Sequence, residues 1–289
     1  MPGPFITLFL IRNYPTIFVR NSCLSMNLEK ICRQSLEIVR HTGDFIAGER
    51  MKLTMDQVER KGKHNFVTYV DKRAEELLVD GLHKIVPEAG FITEEETNVV
   101  QKEEFNWVID PLDGTTNYIH GSPPYAVSVA LMKEKSVILG IVYEIVSSEM
   151  FCSFLGSDAL LDGKRIHVSA TDSVSEALIA TGFPYTRFAR LEPFMRSLSH
   201  LFLHSHGVRR MGSAATDLAY VACGRYDAFY EFNLNPWDVA AGSFIVQQAG
   251  GNVSDFRGGD DYIFGNEIVA SNREVFKEFR QIIGEFMNV

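Results

Sequence analysis

Apolar residues follow a helical spacing in the first part of the chain, beginning after residue 26. The first run predicts an amphipathic helix and comprises Leu28, Ile31, Cys32, Leu36 and Val39. A second run predicts another helix and comprises Ala74, Leu77, Leu78, Leu82 and Ile85. Pro87 should end this helix, and Asp71 follows a short strand-like FVTYV, where an N-cap residue is expected. Asp71 is therefore predicted at a strand-to-helix junction.

The pattern changes to β-type in the middle of the chain and to α/β after it. Between Ala126 and Val168 the runs AVSVALM, VILGIVYEIV and MFCSFL are separated by turn sequences, which predicts antiparallel strands joined by hairpins. From Ala177 a strand-like ALIATGF precedes helical segments, with Ser213 and Asn235 as expected helix caps.

These patterns divide the chain into three parts. Residues 1–25 are apolar but interrupted by charged residues and a proline, and they make a poor secretory signal. Met26 stands just before the first clean helical pattern, so we expect residues 1–25 to be an extension outside the fold. An α+β half over residues 26–165 and an α/β half over residues 166–289 should follow.

The composition is that of a globular protein with an acidic charge balance. The 289 residues are 46% hydrophobic, which is ample for a buried core. The formal net charge of −9 argues against a general nucleic acid-binding surface, because such surfaces depend on clustered Lys and Arg. The four cysteines lack CxxC spacing, so reduced thiols are expected. No apolar run reaches the roughly 18 residues that span a bilayer.

The segment NWVIDPLDGTTNYIHG places two acids directly after a strand-like apolar run. Asp110 should end that strand, because Pro111 has no N–H with which to continue a β ladder. Asp113 and Gly114 should then form a tight turn before a short helix, whose first N–H groups could bind an anion. Two carboxylates about 4 Å apart repel by roughly 1 to 4 kcal/mol, so a cation is expected between them, and oxygen ligands favour Mg²⁺. A turn with a solvated Asp cap is the alternative that this segment leaves open.

Two further acidic segments change the balance between these alternatives. In FITEEE, Glu94, Glu95 and Glu96 follow a short strand-like run, although alone they also fit a solvated charge run. In NPWDVAAG, Asp238 falls in the first turn of a helix, where the helix dipole favours an anion without any metal. Together with Asp71, these acids lie at strand ends and helix starts, where open α/β folds place ligand sites. A phosphatase with several metal ions needs such an arrangement.

The chain resembles the inositol monophosphatase family of Mg²⁺-dependent, lithium-sensitive sugar phosphatases. The segments that carry the resemblance, in order, are FVTYVDKRAE, FITEEE, WVIDPLDGTTNYIHG, RRMGSAATDLAYVACGRYDAFYE and WDVAAGSFIVQQAGG. The resemblance covers residues 27–289, and the DPxDGTTN and WDxAAG motifs are highly specific. It implies an α/β (α+β) fold, a layered αβαβα sandwich of the sugar phosphatase type.

The resemblance also implies a role for each acidic residue. The metal ligands would be Glu94, Asp110, the carbonyl of Leu112, Asp113 and Asp238. These would hold two to three Mg²⁺ ions per site, the third and weaker one at Glu94. Thr115, hydrogen-bonded to Asp71, would orient and deprotonate the attacking water, and Glu94 would also take part in catalysis.

The resemblance further implies which residues contact the substrate. The N–H groups of Gly114 and Thr115 would hold the phosphate. The inositol ring would contact Gly212, Ser213, Ala214 and Glu231. Glu231 fits a polyol because a carboxylate accepts hydrogen bonds from ring hydroxyls, although a surface acid at a strand end is the alternative. Lys61 matches a lysine on a mobile loop that helps to close the site, with Lys63 as the competing candidate.

The expected function is Mg²⁺-dependent hydrolysis of myo-inositol monophosphate to inositol and phosphate by metal-activated water. Alternative substrates for the same chemistry are fructose-1,6-bisphosphate, histidinol phosphate and 3′-phosphoadenosine 5′-phosphate. A different class of function is a regulatory binding protein on the same scaffold, for example a regulator of the transcription machinery. A cytoplasmic homodimer, without nucleic acid or membrane partners, is also expected.

Overall fold

The structure of the protein is a computed structural model. It describes residues 26–54, 57–60, 66–95, 100–183 and 189–288. The predictions for residues 1–25 and for Lys61 and Lys63 lie outside the described residues. Within these ranges, no helix is long and apolar enough to cross a bilayer.

Seven α-helices occur in the described residues, and the amphipathic first and second helices confirm the two helical patterns. The helices are α1 (Leu28–Glu49), α2 (Tyr69–Ile85), α3 (Thr115–His120), α4 (Leu191–His204), α5 (Ala214–Ala222), α6 (Pro236–Gln248) and α7 (Phe276–Met287). A short 3₁₀ helix spans Val174–Glu176. Ser213 and Asn235 are the N-cap residues of α5 and α6, as predicted.

The strands form two large sheets and one short hairpin. The hairpin pairs β1 (Val58–Arg60) with β2 (Phe66–Thr68). The first large sheet contains β3 (Gly90–Thr93), β4 (Phe105–Asp113), β5 (Ala126–Lys133), β6 (Ser136–Glu144), β7 (Glu149–Phe154), β8 (Leu160–Leu161) and β9 (Lys164–Arg165). The second contains β10 (Leu178–Thr181), β11 (Gly207–Arg209), β12 (Ala228–Phe232), β13 (Asn252–Ser254) and β14 (Glu267–Ser271).

The two sheets differ in their topology. The first has seven strands in sequence order, with β3 parallel to β4 and every later pair antiparallel, which confirms the predicted hairpins. The second has the order β11-β10-β12-β14-β13, in which β10 is parallel to both of its neighbours and β14 is antiparallel to its own.

Helices cover both faces of each large sheet, so the fold has five layers. Helices α1 and α2 pack on the outer face of the first sheet, and α5 and α6 lie between the two sheets. Helices α4 and α7 cover the far face of the second sheet. This arrangement is the predicted αβαβα sandwich. The division of the chain at residue 165 stays a prediction.

Strand β5 shows how the sequence builds two cores from one strand. Val127, Val129 and Leu131 join the core beneath α1 and α2, whereas Ala130 and Met132 join the core beneath α5 and α6. Successive side chains of a strand point to opposite faces, and a sheet with two covered faces needs apolar residues at both. The nearly continuous apolar sequence of this strand follows from that requirement.

The chain does not leave strand β4 where the sequence analysis placed the end. The strand continues to Asp113, because the sheet accommodates Pro111 in a register shift instead of ending at it. The turn begins at Gly114, whose φ of 94° lies in the left-handed region that glycine adopts readily.

Asp71 lies at the predicted strand-to-helix junction, in the first turn after β2, but it is not the N-cap residue. Thr68 is the N-cap residue of α2, and Asp71 is the third residue of that helix. The Asp71 carboxylate accepts hydrogen bonds from Thr68 N at 2.8 Å and Thr68 Oγ1 at 2.6 Å, which closes a capping box. The helix starts earlier than predicted because Thr68 caps it equally well.

Helix α1 offers a test of how closely its layer packs on the first sheet. A Cβ atom at Gly43 would overlap the Tyr143 ring, whereas one at Gly48 would have no atom within 4 Å. Gly43→Ala should lower the free energy of unfolding by about 1 to 3 kcal/mol through overpacking. The control Gly48→Ala in the same helix should raise it by roughly 0.5 to 1 kcal/mol. Urea denaturation of both variants measures this, and a stabilised Gly43→Ala would contradict the packing.

Candidate active site

A cleft of about 970 Å³, open to solvent, lies where strand β4, strand β12 and the first turns of α5 and α6 meet. All residues predicted to bind metal, phosphate or substrate line it, except Lys61, which lies outside the described part of the chain. They are Glu94, Asp110, Leu112, Asp113, Gly114, Thr115, Gly212, Ser213, Ala214, Glu231 and Asp238. The structure therefore brings together residues that are separated by up to about half of the sequence.

Asp110, Asp113 and Asp238 form the acidic centre of the cleft. Each offers one carboxylate oxygen, and these three oxygens lie within 4.8 Å of one another. Asp110 and Asp113 come from the end of β4, and Asp238 is the third residue of α6. Among the described residues, this is the group of three or more potential ligand side chains that could hold a metal ion.

The register shift in β4 is what places two of these carboxylates on one face. Asp110 pairs with Ser128 and Asp113 with Ala126, so three steps along β4 match two steps along β5. Residues 110 and 113 of a regular strand would point to opposite faces, and one extra residue reverses the alternation. Leu112 accordingly packs in the core beneath α1 and α2 and leaves both acids on the side of α5 and α6.

Hydrogen bonds from two helix starts and from the backbone of β4 fix the three carboxylates. Asp113 Oδ2 accepts Ser213 Oγ and Ala215 N, both at 2.7 Å, at the start of α5. Asp238 Oδ2 accepts Asn235 N at 2.7 Å, as part of a capping box at the start of α6. Asp110 Oδ1 accepts Leu112 N at 2.9 Å. Each acid therefore has a defined orientation before any ligand arrives.

Burial and mutual repulsion make the ionised form of this cluster costly. Burial raises the pKa of Asp110 well above its usual range, and the charges of Glu94, Asp113 and Asp238 raise it further. Burial also raises the pKa of Asp113 to about 6, against the hydrogen bonds from Ser213 and Ala215. The pKa of Asp238 rises to about 7 through burial and the charge of Asp113. A cation would relieve both costs.

The donor set fits a hard divalent cation. The cluster contains only carboxylate oxygens, and the carbonyl of Leu112 and the carboxylate of Glu94 line the same cleft. Oxygen ligands of this kind suit Mg²⁺ and do not suit zinc, which prefers His and Cys. Glu94 follows β3, whose last residue Thr93 is in register with Ile109 of the parallel β4, so Glu94 lies beside Asp110 at the same end of the sheet.

Thr115 connects this centre to Asp71 on helix α2. Thr115 Oγ1 lies 3.1 Å from Asp71 Oδ1 and 3.1 Å from the carbonyl oxygen of Leu112, so its one proton can go to either acceptor. The predicted hydrogen bond between Thr115 and Asp71 is present. Burial raises the pKa of Asp71, while hydrogen bonds from Thr68 and Thr115 oppose the shift.

The wall opposite the acids contains Glu231, from strand β12. Its carboxylate packs flat on Gly182, since a Cβ atom at Gly182 would overlap it. Burial raises the pKa of Glu231 well above its usual range, the charge of Asp238 adds to the shift, and that of Arg210 opposes it. The alternative of a surface acid is wrong, because Glu231 is 8% exposed.

Several lining residues escaped the sequence analysis. Arg210 and Phe183 stack with the guanidinium carbon 5.4 Å from the ring centroid, and Gly182 gives Glu231 its place. Asp217 is 1% exposed beyond this wall, and neither of its carboxylate oxygens has a hydrogen-bond partner among the described residues. The double arginine before the GS motif was a visible signal for Arg210. Nothing in the local sequence marks the other three.

The comparison with protein families agrees with this geometry. The chain matches the model of the inositol monophosphatase family over residues 27–285. The chain belongs to the inositol monophosphatase family. This membership supports a phosphatase and confirms both the resemblance seen in the sequence and the fold class.

Proteins similar to this chain carry two kinds of name. Nus factor SuhB of Pseudomonas aeruginosa is 40% identical over 248 residues, which cover 84% of this chain and 92% of that protein. The crystal structure of the extragenic suppressor protein suhB of Bartonella henselae has a TM-score of 0.82 at 33% identity and covers 88% of this chain and 98% of its own. The inositol monophosphatase of Anabaena has a TM-score of 0.80 at 31% identity and covers 90% and 97%.

The raised pKa values predict how the stability of the metal-free protein depends on pH. Asp113 and Asp238 titrate near pH 6 and pH 7 in the folded protein and near pH 4 when unfolded. The folded state therefore binds more protons between these values, and its free energy of unfolding should fall by about 3 to 4 kcal/mol from pH 5 to pH 8. Glu49 and Glu149 do not contribute, because their pKa values are lowered and they are ionised in both states throughout this range.

Urea denaturation in a chelator at pH 5 and pH 8 measures this slope. Saturating Mg²⁺ should remove most of the decline, because a bound cation favours the ionised carboxylates. The control Asp113→Asn should show a smaller decline than the wild type in the metal-free state. A metal-free protein that becomes more stable towards pH 8 would contradict the prediction.

Proposed function

We propose that the protein hydrolyses the phosphate monoester of a polyol, with myo-inositol monophosphate as its substrate and Mg²⁺ as its cofactor. The observation that carries the proposal is the group formed by the buried Asp110 and the half-buried Asp113 and Asp238, in one cleft with Glu231. The first three are oxygen ligands for cations, and the fourth is an acceptor for sugar hydroxyls.

The metal ligands in this proposal are the five residues that the sequence indicated. They are Glu94, Asp110, the carbonyl of Leu112, Asp113 and Asp238. Two to three Mg²⁺ ions bound there would neutralise the phosphate, lower the pKa of a water and stabilise the leaving oxygen. The hydrogen bonds to Asp113 and Asp238 support this assignment, because ligands held before binding lose less conformational freedom on binding.

Thr115 and Asp71 would move the proton of the attacking water. Thr115 Oγ1 can accept that proton while it donates its own to Asp71 Oδ1, which lies 3.1 Å away. The raised pKa of Asp71 supports this role, since a more basic carboxylate accepts a proton more readily. The water oxygen forms the new bond to phosphorus, the bond from phosphorus to the ester oxygen breaks, and the ester oxygen takes a proton from solvent water, which gives the polyol and inorganic phosphate.

The rest of the cleft would bind the two ends of the substrate. The backbone N–H groups of Gly114 and Thr115, at the first turn after β4, would hold the phosphate. Gly212, Ser213, Ala214 and Glu231 would contact the ring. Because Gly182 has no Cβ atom, the Glu231 carboxylate lies flat on the backbone there, which fixes its position for recognising hydroxyl groups.

The same centre could also act on other phosphate esters. Fructose-1,6-bisphosphate, histidinol phosphate and 3′-phosphoadenosine 5′-phosphate are the alternatives. The lysine on the predicted mobile loop, Lys61, bears on this choice but lies outside the described residues. Lithium sensitivity, a homodimer and a cytoplasmic location stay predictions.

Asp113→Asn should leave less than about a tenth of the wild-type turnover, because it removes the charge of a ligand in a metal centre worth several kcal/mol. The fold should survive, since an asparagine can still accept the hydrogen bond from Ala215 N. The measurement is phosphate release with Mg²⁺ from the four candidate substrates. Asp172→Asn, an equal change of charge at an exposed site, is the control. A strong preference for a bisphosphate would defeat the inositol assignment, and an active Asp113→Asn would defeat the metal centre.

A second candidate function is regulation of the transcription machinery. The observation in its favour is that relatives 40% identical to the chain are named Nus factors. The complete set of carboxylates in the cleft counts against it as the main role, because a binding surface has no chemical need for a metal site. The two functions can also coexist on one scaffold.

Affinity purification of wild type and Asp113→Asn from cells distinguishes the two functions. A catalytic main role predicts hydrolysis by the wild type and no enrichment of RNA polymerase subunits by either protein. A regulatory role predicts equal enrichment by both proteins, because Asp113 lies half-buried in the cleft and its substitution leaves the outer helix layers unchanged. Enrichment without hydrolysis of any candidate substrate would make regulation the main role.

A further inference from the structure

Glu75 is a buried carboxylate on helix α2 that the mechanism above does not use. Its exposed fraction is 0%, although glutamate is rarely found fully buried. Glu75 Oε2 accepts a hydrogen bond from the backbone N–H of Glu95 at 2.8 Å. The carboxylate therefore holds the backbone of the segment that follows strand β3.

Glu75 stands four residues after Asp71, so both carboxylates lie on the same face of α2. Asp71 contacts Thr115, in the turn after β4, and Glu75 contacts Glu95, in the turn after β3. One rigid helix thus fixes two neighbouring turns of the cleft. Strands β3 and β4 are parallel and adjacent, so these turns leave the sheet side by side.

Glu94 lies between the two points at which this segment is fixed. On one side, Thr93 is the last residue of β3 and is in register with Ile109 of β4. On the other side, the N–H of Glu95 is bound to Glu75. The peptide between these points carries the Glu94 carboxylate, whose charge raises the pKa of Asp110 and which lines the cleft.

We propose that Glu75 is a positioning residue for the metal centre: its hydrogen bond to the Glu95 backbone holds Glu94 against Asp110. The inference rests on the proposed function only in taking Glu94 as a metal ligand. Glu75 itself contacts neither metal nor substrate and acts through the backbone of Glu94 and Glu95.

A buried hydrogen-bond acceptor of this kind holds its donor strongly, because water cannot take its place. Without the side chain at position 75, the Glu95 N–H loses its partner in a part-buried place, and the turn is free to find another arrangement. Residues that orient metal ligands typically change metal affinity about 10- to 100-fold when they are removed. Glutamine keeps an oxygen acceptor of similar reach but lacks the charge, so it separates the hydrogen bond from the electrostatic effect.

The test compares Glu75→Ala and Glu75→Gln with the wild type by two measurements. Hydrogen exchange of the metal-free full chain reports the protection of the Glu95 amide. Isothermal titration with MgCl₂ alone reports the metal affinity. For Glu75→Ala we expect exchange of the Glu95 amide about tenfold faster or more, and Mg²⁺ affinity about tenfold weaker or more. For Glu75→Gln both values should stay within about threefold of wild type, because the acceptor remains.

Leu82→Ala is the control for a loss of stability alone. Leu82 is fully buried on the same helix, in the core beneath the first sheet. Leu82→Ala should lower the melting temperature. The exchange rate of the Glu95 amide, after correction for global unfolding, should stay near the wild-type value. The Mg²⁺ affinity should also stay near the wild-type value. If Leu82→Ala changed both as Glu75→Ala does, the effect would be general and the inference would be wrong.

The remaining outcomes separate this inference from the proposed function. If Glu75→Gln behaved like Glu75→Ala, charge and not the hydrogen bond would act, and the positioning role would be overturned. If Glu75→Ala bound Mg²⁺ as the wild type does, the inference would fail even with an active phosphatase. If the wild type hydrolysed no phosphate ester but the alanine variant still lost amide protection and Mg²⁺ affinity, the inference would stand and the proposed function would fail.

Discussion

The repulsion among three carboxylates with little access to water is the constraint on which the rest of the site depends. Asp110, Asp113 and Asp238 hold oxygens within 4.8 Å of one another, and burial alone already disfavours their charges. An arrangement of this kind persists only if the surrounding fold fixes each side chain. The same repulsion favours the binding of a divalent cation. Without the cation, the fold must hold the carboxylates together against their repulsion.

The scaffold meets this constraint through helix starts pressed against a sheet edge. Helix α6 lies between the two sheets with buried residues from Val239 to Val246, so it cannot shift without disturbing its packing on both sheets. Its contact with the first sheet is close, because a Cβ atom at Gly140 would lie 2.8 Å from the carbonyl oxygen of Ala241. The first turn of this helix therefore delivers Asp238 at a fixed distance from the end of β4. The packing that makes the layers rigid therefore also fixes the position of Asp238.

The chain belongs to a family whose members carry both catalytic and regulatory names, and the scaffold explains how both can occur. The acidic centre of the cleft lies between the two sheets, at the end of β4 and the first turn of α6, whereas the outer layer of α4 and α7 does not line the cleft. Surface residues of the outer layers can therefore change without changing the carboxylates. The chemistry of a buried site and the contacts of an exposed surface are independent in this architecture.

Much of the fold and most of the site could be predicted because they depend on local patterns. Helical spacing marked α1 and α2, apolar runs separated by turn sequences marked the hairpins from β5 to β7, and the acids of the two motifs all reached the cleft. The local patterns gave wrong predictions where the same segment allows two alternative local structures. Thr68 caps α2 in place of Asp71, and the sheet absorbs Pro111 in a register shift instead of ending there.

The sequence by itself determined which side chains are available for chemistry, namely oxygen ligands at strand ends and helix starts. Only the tertiary structure decided how they meet. Asp110 and Asp113 share a face because of pairing with β5, and Gly182 seats Glu231 through a contact across the second sheet. Glu75 reaches Glu95 from a neighbouring helix, twenty residues away in the chain. Such contacts join residues far apart in sequence, so no local spacing encodes them, and they are fixed only when the layers pack.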